Sequence, residues 1–185
     1  MPARLSAMAG STKIRLTGTM NLIRGAVLIA ATVTTGLIAG LFYSFSVAVM
    51  PGLRQVEDRS FVDTMQRINV AIINGWFMLC FVGALLLTAL AAVLHLRAAG
   101  RTVLPWLVAA FVLYLVMFVI TSAVNVPLNN ALDAAGKPGA IADLAAVRAR
   151  FEATWVGWNV VRAVVSSAAF GCLTWALVLF GRSTA

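Results

Sequence analysis

Trp76-Phe-Met-Leu-Cys80-Phe-Val-Gly-Ala-Leu85-Leu-Leu-Thr-Ala-Leu90-Ala-Ala-Val-Leu-His95-Leu96 is an unbroken apolar run. At ~1.5 Å per residue, a helix of this length crosses the ~30 Å hydrocarbon layer of a bilayer. Arg97-Ala-Ala-Gly-Arg101 follows as a tight polar turn, and a second apolar run begins at once, over 103–124. Two such helices joined by so short a turn form a transmembrane hairpin. Strands are excluded because only helices and closed barrels satisfy the backbone in lipid, and barrel alternation is missing.

Outward from the hairpin lie two more runs of spanning length, about 22–49 and 155–180. The chain is 62% hydrophobic and 11% charged, with a mean hydropathy of +0.96. A soluble domain is nearer ~45–50% apolar and ~25% charged, so this composition could not cover an apolar surface in water. The fold class is therefore an all-α integral membrane four-helix bundle. It forms one transmembrane domain over 22–181, preceded by a basic tail, 1–21. The first run is far longer than the ~7–15 residues of a cleavable signal core, so it reads as an uncleaved span. Gly36 and Gly40 share one face of it, a pattern that lets helices pack closely within the bundle. Pro51-Gly52 stops it.

Fourteen Lys and Arg face six Asp and Glu, a net charge of +8. Position decides what that excess means. Arg4, Lys13, Arg15 and Arg24 cluster at the start of span one, Arg97 and Arg101 join spans two and three, and Arg182 follows span four. All six acids fall in the other two loops. Cytoplasmic loops are enriched in Lys and Arg, which predicts both termini cytoplasmic in a multi-pass protein of the plasma (inner) membrane. The lipid bilayer is the expected partner and nucleic acid is not; homo-oligomerisation stays open.

The acidic loops carry helical signals. Ser60-Phe-Val-Asp63 reads as a capping-box variant, with Phe61, Met65, Ile68 and Ile72 at helical spacing behind it. That helix either lies on the membrane or extends above it. Gly136-Lys-Pro-Gly139 is a turn, and the stretch from Ile141 to Glu152 should merge into span four. The predicted helical extensions thus stand on the outer side.

Polar residues inside apolar runs carry the functional information. Trp155, Trp158, Asn159, Arg162 and Ser166 recur every three or four residues and form one stripe. Arg162 lies about 10 Å below Trp155, at a depth where a charge costs roughly 3–17 kcal/mol by different measures. It either snorkels to headgroups or faces an interior polar pocket. Asn125 and Asn129 flank Pro127, which should break or kink span three. Asn69 and Asn74 sit at the same level on the approach to span two. Several amides at one depth with one guanidinium describe an outward-facing polar pocket, although a structural hydrogen-bond network uses the same residues. Phe42, Tyr43, Phe45, Trp76 and Phe77 could line a flat apolar cavity. His95, alone at the cytoplasmic end, reads as a solvated end residue. Cys80 and Cys172 differ in depth by roughly 20 Å, too far to bridge. No metal-ligand spacing and no cofactor motif is present.

Taken together, Val49-Met-Pro-Gly-Leu53, Met65-Gln-Arg-Ile-Asn69, Asn74-Gly-Trp-Phe77, Asn125-Val-Pro-Leu-Asn129 and Trp155-Val-Gly-Trp-Asn-Val-Val-Arg162 resemble the small four-span bacterial membrane proteins grouped with the anthrone oxygenases. The resemblance covers roughly residues 25–180. It implies a cofactor-independent oxygenase that oxidises an anthrone to an anthraquinone with molecular oxygen. Arg162 and Asn159 would then stabilise oxyanion charge. Asn125 and Asn129 would orient the substrate's oxygens, and Trp155, Trp158 or Trp76 would stack on its rings; Asn74 and Asn69, at the same level, are further candidate substrate-binding residues. Two positions depart from the family pattern: Val160 stands where a histidine is common, and Gly75 where a proline is. The alternative is a non-catalytic protein that binds a lipid or quinone-like ligand, or serves as an accessory membrane subunit.

Overall fold

The computed structural model describes residues 2–96 and 102–184, with side chains described from Gly18 onward. The turn expected at Arg97-Ala-Ala-Gly-Arg101 lies outside the described residues. Everything regular within them is helix, and four helices are long and apolar enough to cross a membrane. The chain is a multi-pass membrane protein.

Helix α1 spans Pro2–Ser44, so its backbone begins well before the apolar run; a wide π-turn, Phe45–Val49, and a short α2, Met50–Leu53, complete span one. Helix α3, Asp58–Ala71, leads into α4, Gly75–His95, which is span two. Span three is α5, Leu104–Ile120, a second π-turn, Thr121–Asn125, and α6, Val126–Ala134. Helix α7, Leu144–Thr184, is span four together with its extension. α1 packs on α4 and α7, and α5 packs on the same two, closing a four-sided bundle.

Small residues let these helices approach, as lipid-embedded bundles require. Ala31, Ala91, Ala110 and Ala176 are fully buried in the core at the end carrying Arg24 and Arg182. A Cβ added to Gly36 would stand 2.9 Å from the Phe170 ring, so this glycine makes room for a neighbouring side chain; Gly40 faces open space. Tyr114 donates to the Phe81 carbonyl at 2.9 Å and pins α5 to α4.

His95 is buried, and this corrects the expectation of a solvated end residue. Its Nδ1 lies 2.8 Å from the Ala91 carbonyl, and its ring meets Phe180 edge-on. The residue sits on the inner face of α4, one turn past Ala91 and two turns past Thr88, both buried.

The opposite end is capped. α3 starts at Asp58, so Ser60 lies inside the first turn and does not cap it. Its apolar face, Phe61, Val62 and Met65, is fully buried beside Phe151, Trp155 and Leu132. It therefore folds onto the bundle as a roof, which answers the question that periodicity left open. Asp63 and Arg67 pair at 2.8 Å, and that carboxylate raises the Arg67 pKa above its ordinary value. Arg148 on α7 holds the roof's hinge. It donates to the Val56 and Arg54 carbonyls and to Asp58 and Glu152, at 2.7–3.0 Å, beneath the Phe61 ring. Asp143 accepts from the Ala146 amide and caps α7, while Gly136 at φ +90° ends α6.

Pro127 does not break span three. The Val126 amide reaches back five residues to the Thr121 carbonyl, and the helix continues to Ala134. A proline lacks the amide that would bond four residues back, and its ring crowds that carbonyl; a wider turn ahead of it relieves both problems. The same device precedes Pro51, where the Met50 amide reaches the Phe45 carbonyl.

Candidate functional site

Both π-turns stand beside one cavity of about 720 Å³ beneath the α3 roof. Its walls come from five elements: span one (Leu41, Phe42, Phe45), α3, α4 (Phe77, Met78, Phe81, Val82), span three (Phe118, Thr121, Ser122, Val126, Asn129) and α7. Phe77, Phe81 and Phe118 make a ladder of near-parallel rings, with centroids 5.2 and 4.9 Å apart. This wall is flat and apolar.

Arg162, Asn159 and Thr121 meet at the inner end. Arg162 is 4% exposed there, its guanidinium 4.3 Å from the Phe42 ring and 5.3 Å from the Trp155 ring. One nitrogen donates to Asn159 Oδ1 at 2.9 Å and another makes a long contact of 3.5 Å with Thr121 Oγ1, while Nε has no partner. Cation–π contacts of about 2 kcal/mol each when desolvated, plus one charged hydrogen bond of about 1.5–3 kcal/mol, offset a desolvation penalty of several kcal/mol. No described carboxylate pairs with it, since the acids of every described ion pair lie in α3 or in the extension of α7.

Asn159 fixes this arrangement. Its Nδ2 donates to Ser46 Oγ at 2.8 Å and to the Phe42 carbonyl at 3.1 Å. The first π-turn places Ser46 and that carbonyl within reach, so the asparagine links Arg162 to span one. Trp155 is fixed in turn by Asn129, which accepts from its Nε1 at 2.7 Å.

Of the residues singled out in the sequence, Arg162, Asn159, Asn129, Asn69 and Trp155 all line this cavity. The Nδ2 of Asn69 is buried without a partner. Asn125 is buried beside the cavity but outside its lining, and donates to the Trp155 carbonyl at 3.3 Å. Asn74 caps α4, accepting from the Phe77 amide at 3.0 Å, and points elsewhere. Trp76 is 81% exposed and Trp158 is exposed too, and neither lines the cavity. At ~100° per residue, Trp158 falls about 60° to one side of Trp155 while Asn159, Arg162 and Ser166 stay within about 40° of it.

Sequence reasoning missed Ser46, Gln66, Phe118 and Asp133. Their contribution depends on the two wide turns and on the roof, which no spacing rule announces. Asp133 is the lining's one carboxylate. It stands twelve residues beyond Thr121, roughly 18 Å along the helix and thus at the mouth. Among the described residues, no group of three His, Cys, Asp or Glu converges to hold a metal. Val160 is 44% exposed and outside the lining, so whichever residue occupies that position faces away from the cavity. Gly75 is the first residue of α4, a position proline also suits.

A family model described as Anthrone oxygenase matches residues 77–172, just over half of the chain, taking in α4, span three and most of the cavity face of α7. Comparison with curated proteins and with solved structures gives no significant match.

Proposed function

The chain belongs to the anthrone oxygenase family, and from that premise we propose that its roofed cavity receives a flat, lipophilic aromatic and oxidises it. The observation that carries the reading is a buried guanidinium with a free Nε and no acidic partner, at the closed end of an aromatic-walled space. A ring oxygen seated there would accept from Arg162 and share the site with Asn159. The stacked wall of Phe77, Phe81 and Phe118 would lie along the ring faces.

On this reading the ring's methylene carbon loses a proton and the resulting oxyanion is stabilised by Arg162. The anion reacts with O₂, which is reduced: one oxygen becomes the new carbonyl and the other leaves as water with the two ring hydrogens. No other oxidant is needed. The positive-inside pattern of the sequence favours the non-cytoplasmic side for the roofed end.

A second reading, a non-catalytic binder of a lipid or quinone-like ligand or an accessory subunit, is favoured by the lining itself. Its one carboxylate, Asp133, stands at the mouth, far from Arg162. Incubating the protein in nanodiscs with anthrone, and following O₂ uptake together with anthraquinone absorbance, separates the readings. Turnover above empty nanodiscs that vanishes in Arg162→Met supports the oxygenase. Saturable binding without turnover supports the second reading, and neither turnover nor binding rejects both.

A further inference from the structure

The cavity is open on its flank as well as beneath the roof. α4 packs along α1 and α5, whereas the second π-turn and α6 pack on α7 and α3. The outer halves of spans two and three therefore diverge where the wide turn redirects the chain. Phe81 and Phe118, still stacked at 4.9 Å, form the floor of the resulting cleft. Its rims are apolar and uncovered: Ile73 and Met78 on one side, with Ile73 73% exposed, and Val126 on the other, 42% exposed. Met78 and Val126 belong to helices long and apolar enough to cross the bilayer, and both are exposed, as side chains solvated by acyl chains would be.

We propose that this cleft is a lateral portal and tail groove. It admits from the surrounding leaflet an aromatic carrying a long hydrocarbon substituent, whose oxygen-bearing ring seats at Arg162 while the chain lies between Met78 and Val126. The proposal rests on the aromatic-binding reading above and adds to it the class of ligand and its route. Three features carry it. Arg162 and the amide that positions it, Asn159, stand at the inner end and not on the rims of the cleft, so a ligand's oxygen is recognised at depth. The flank between them and the lipid offers ring faces and aliphatic side chains, with the one hydroxyl there, Ser122, already donating to the Phe118 carbonyl at 3.0 Å. The water-facing end, by contrast, is lined by Gln66, Asn130 and Asp133, a rim that a bare hydrocarbon chain would avoid.

Two probes decide the matter: 2-hydroxy-1,4-naphthoquinone, and the same ring bearing an undecyl chain at carbon 3. Equilibrium dialysis between protein-loaded and empty nanodiscs gives each affinity per mole of probe dissolved in lipid, which cancels simple partition. The tailed probe is expected to bind at least tenfold tighter on that scale. Val126→Trp should remove this advantage and bring the two probes to within about twofold of each other, because it fills the groove where the chain would lie. Ile73→Trp plugs the opposite rim and serves where Val126→Trp does not fold. Equal affinities for the two probes, or a tail advantage untouched by both plugs, would overturn the portal. If Arg162→Met leaves the tail-less probe's binding unchanged, the ring seat is wrong, and the reading beneath the proposal falls with it.

Discussion

Replacing Arg162 by methionine separates a binding site from a structural anchor. The substitution removes a buried charge whose desolvation costs several kcal/mol, together with two ring contacts and one good hydrogen bond. It leaves Asn159 Oδ1 without its donor, which costs about 1–3 kcal/mol. Methionine fills a similar volume with a flexible apolar chain. These effects nearly cancel, and replacement of buried ions by apolar side chains is often neutral or stabilising by about 1–4 kcal/mol. The expected change in bundle stability is therefore within about 1 kcal/mol of zero, or in the stabilising direction, while ligand binding is lost. Equilibrium unfolding in mixed micelles with SDS, followed by far-UV circular dichroism, measures the first quantity, and nanodisc binding the second. A loss of more than about 3 kcal/mol, the size expected when a partner is taken from a buried ion pair, would refute this reasoning and make Arg162 part of the scaffold.

Other substitutions should behave differently. Asn159→Ala takes from Arg162 its one good acceptor, while Ser46 Oγ still donates to the Phe42 carbonyl at 3.0 Å, and should cost about 1–3 kcal/mol in the same unfolding experiment. Arg148→Ala removes the hinge contacts of the roof. Hydrogen exchange should then quicken across α3, residues 58–71, by roughly tenfold or more, with α4 and α5 unchanged, since several charge-assisted bonds of about 1.5–3 kcal/mol each are lost. Trp76→Ala and Trp158→Ala should leave ring binding within twofold, because both side chains stand outside the cavity; a tenfold loss in either would return them to the site.

The spans were legible because length and hydropathy alone decide what can cross a bilayer, and the Arg162 stripe because its period is that of a helix. What spacing could not deliver is how prolines act in a long helix. Pro127 signals a break, yet the helix widens at Thr121–Asn125 and continues, so Asn129 still reaches Trp155. The same widening at Phe45–Val49 brings Ser46 to Asn159, a contact between residues 113 positions apart that no local pattern encodes. Trp76 and Trp158 stand outside the cavity, which spacing could not tell: aromatic side chains near a membrane surface serve stacking and anchoring equally well, and burial separates the two. His95 failed as a solvated residue because a polar ring at a helix end can bond one nitrogen to its own helix, here Nδ1 to the Ala91 carbonyl, and bury the other, Nε2, without a partner.

A structure of the protein in nanodiscs saturated with anthraquinone, the product-like and unreactive ring, tests the central claim most directly. The account predicts a planar density against the ladder of Phe77, Phe81 and Phe118, with one oxygen about 3 Å from Arg162, within hydrogen-bond range. A cavity left empty at saturation, or a ring bound elsewhere on the bundle with Arg162 untouched, would contradict it.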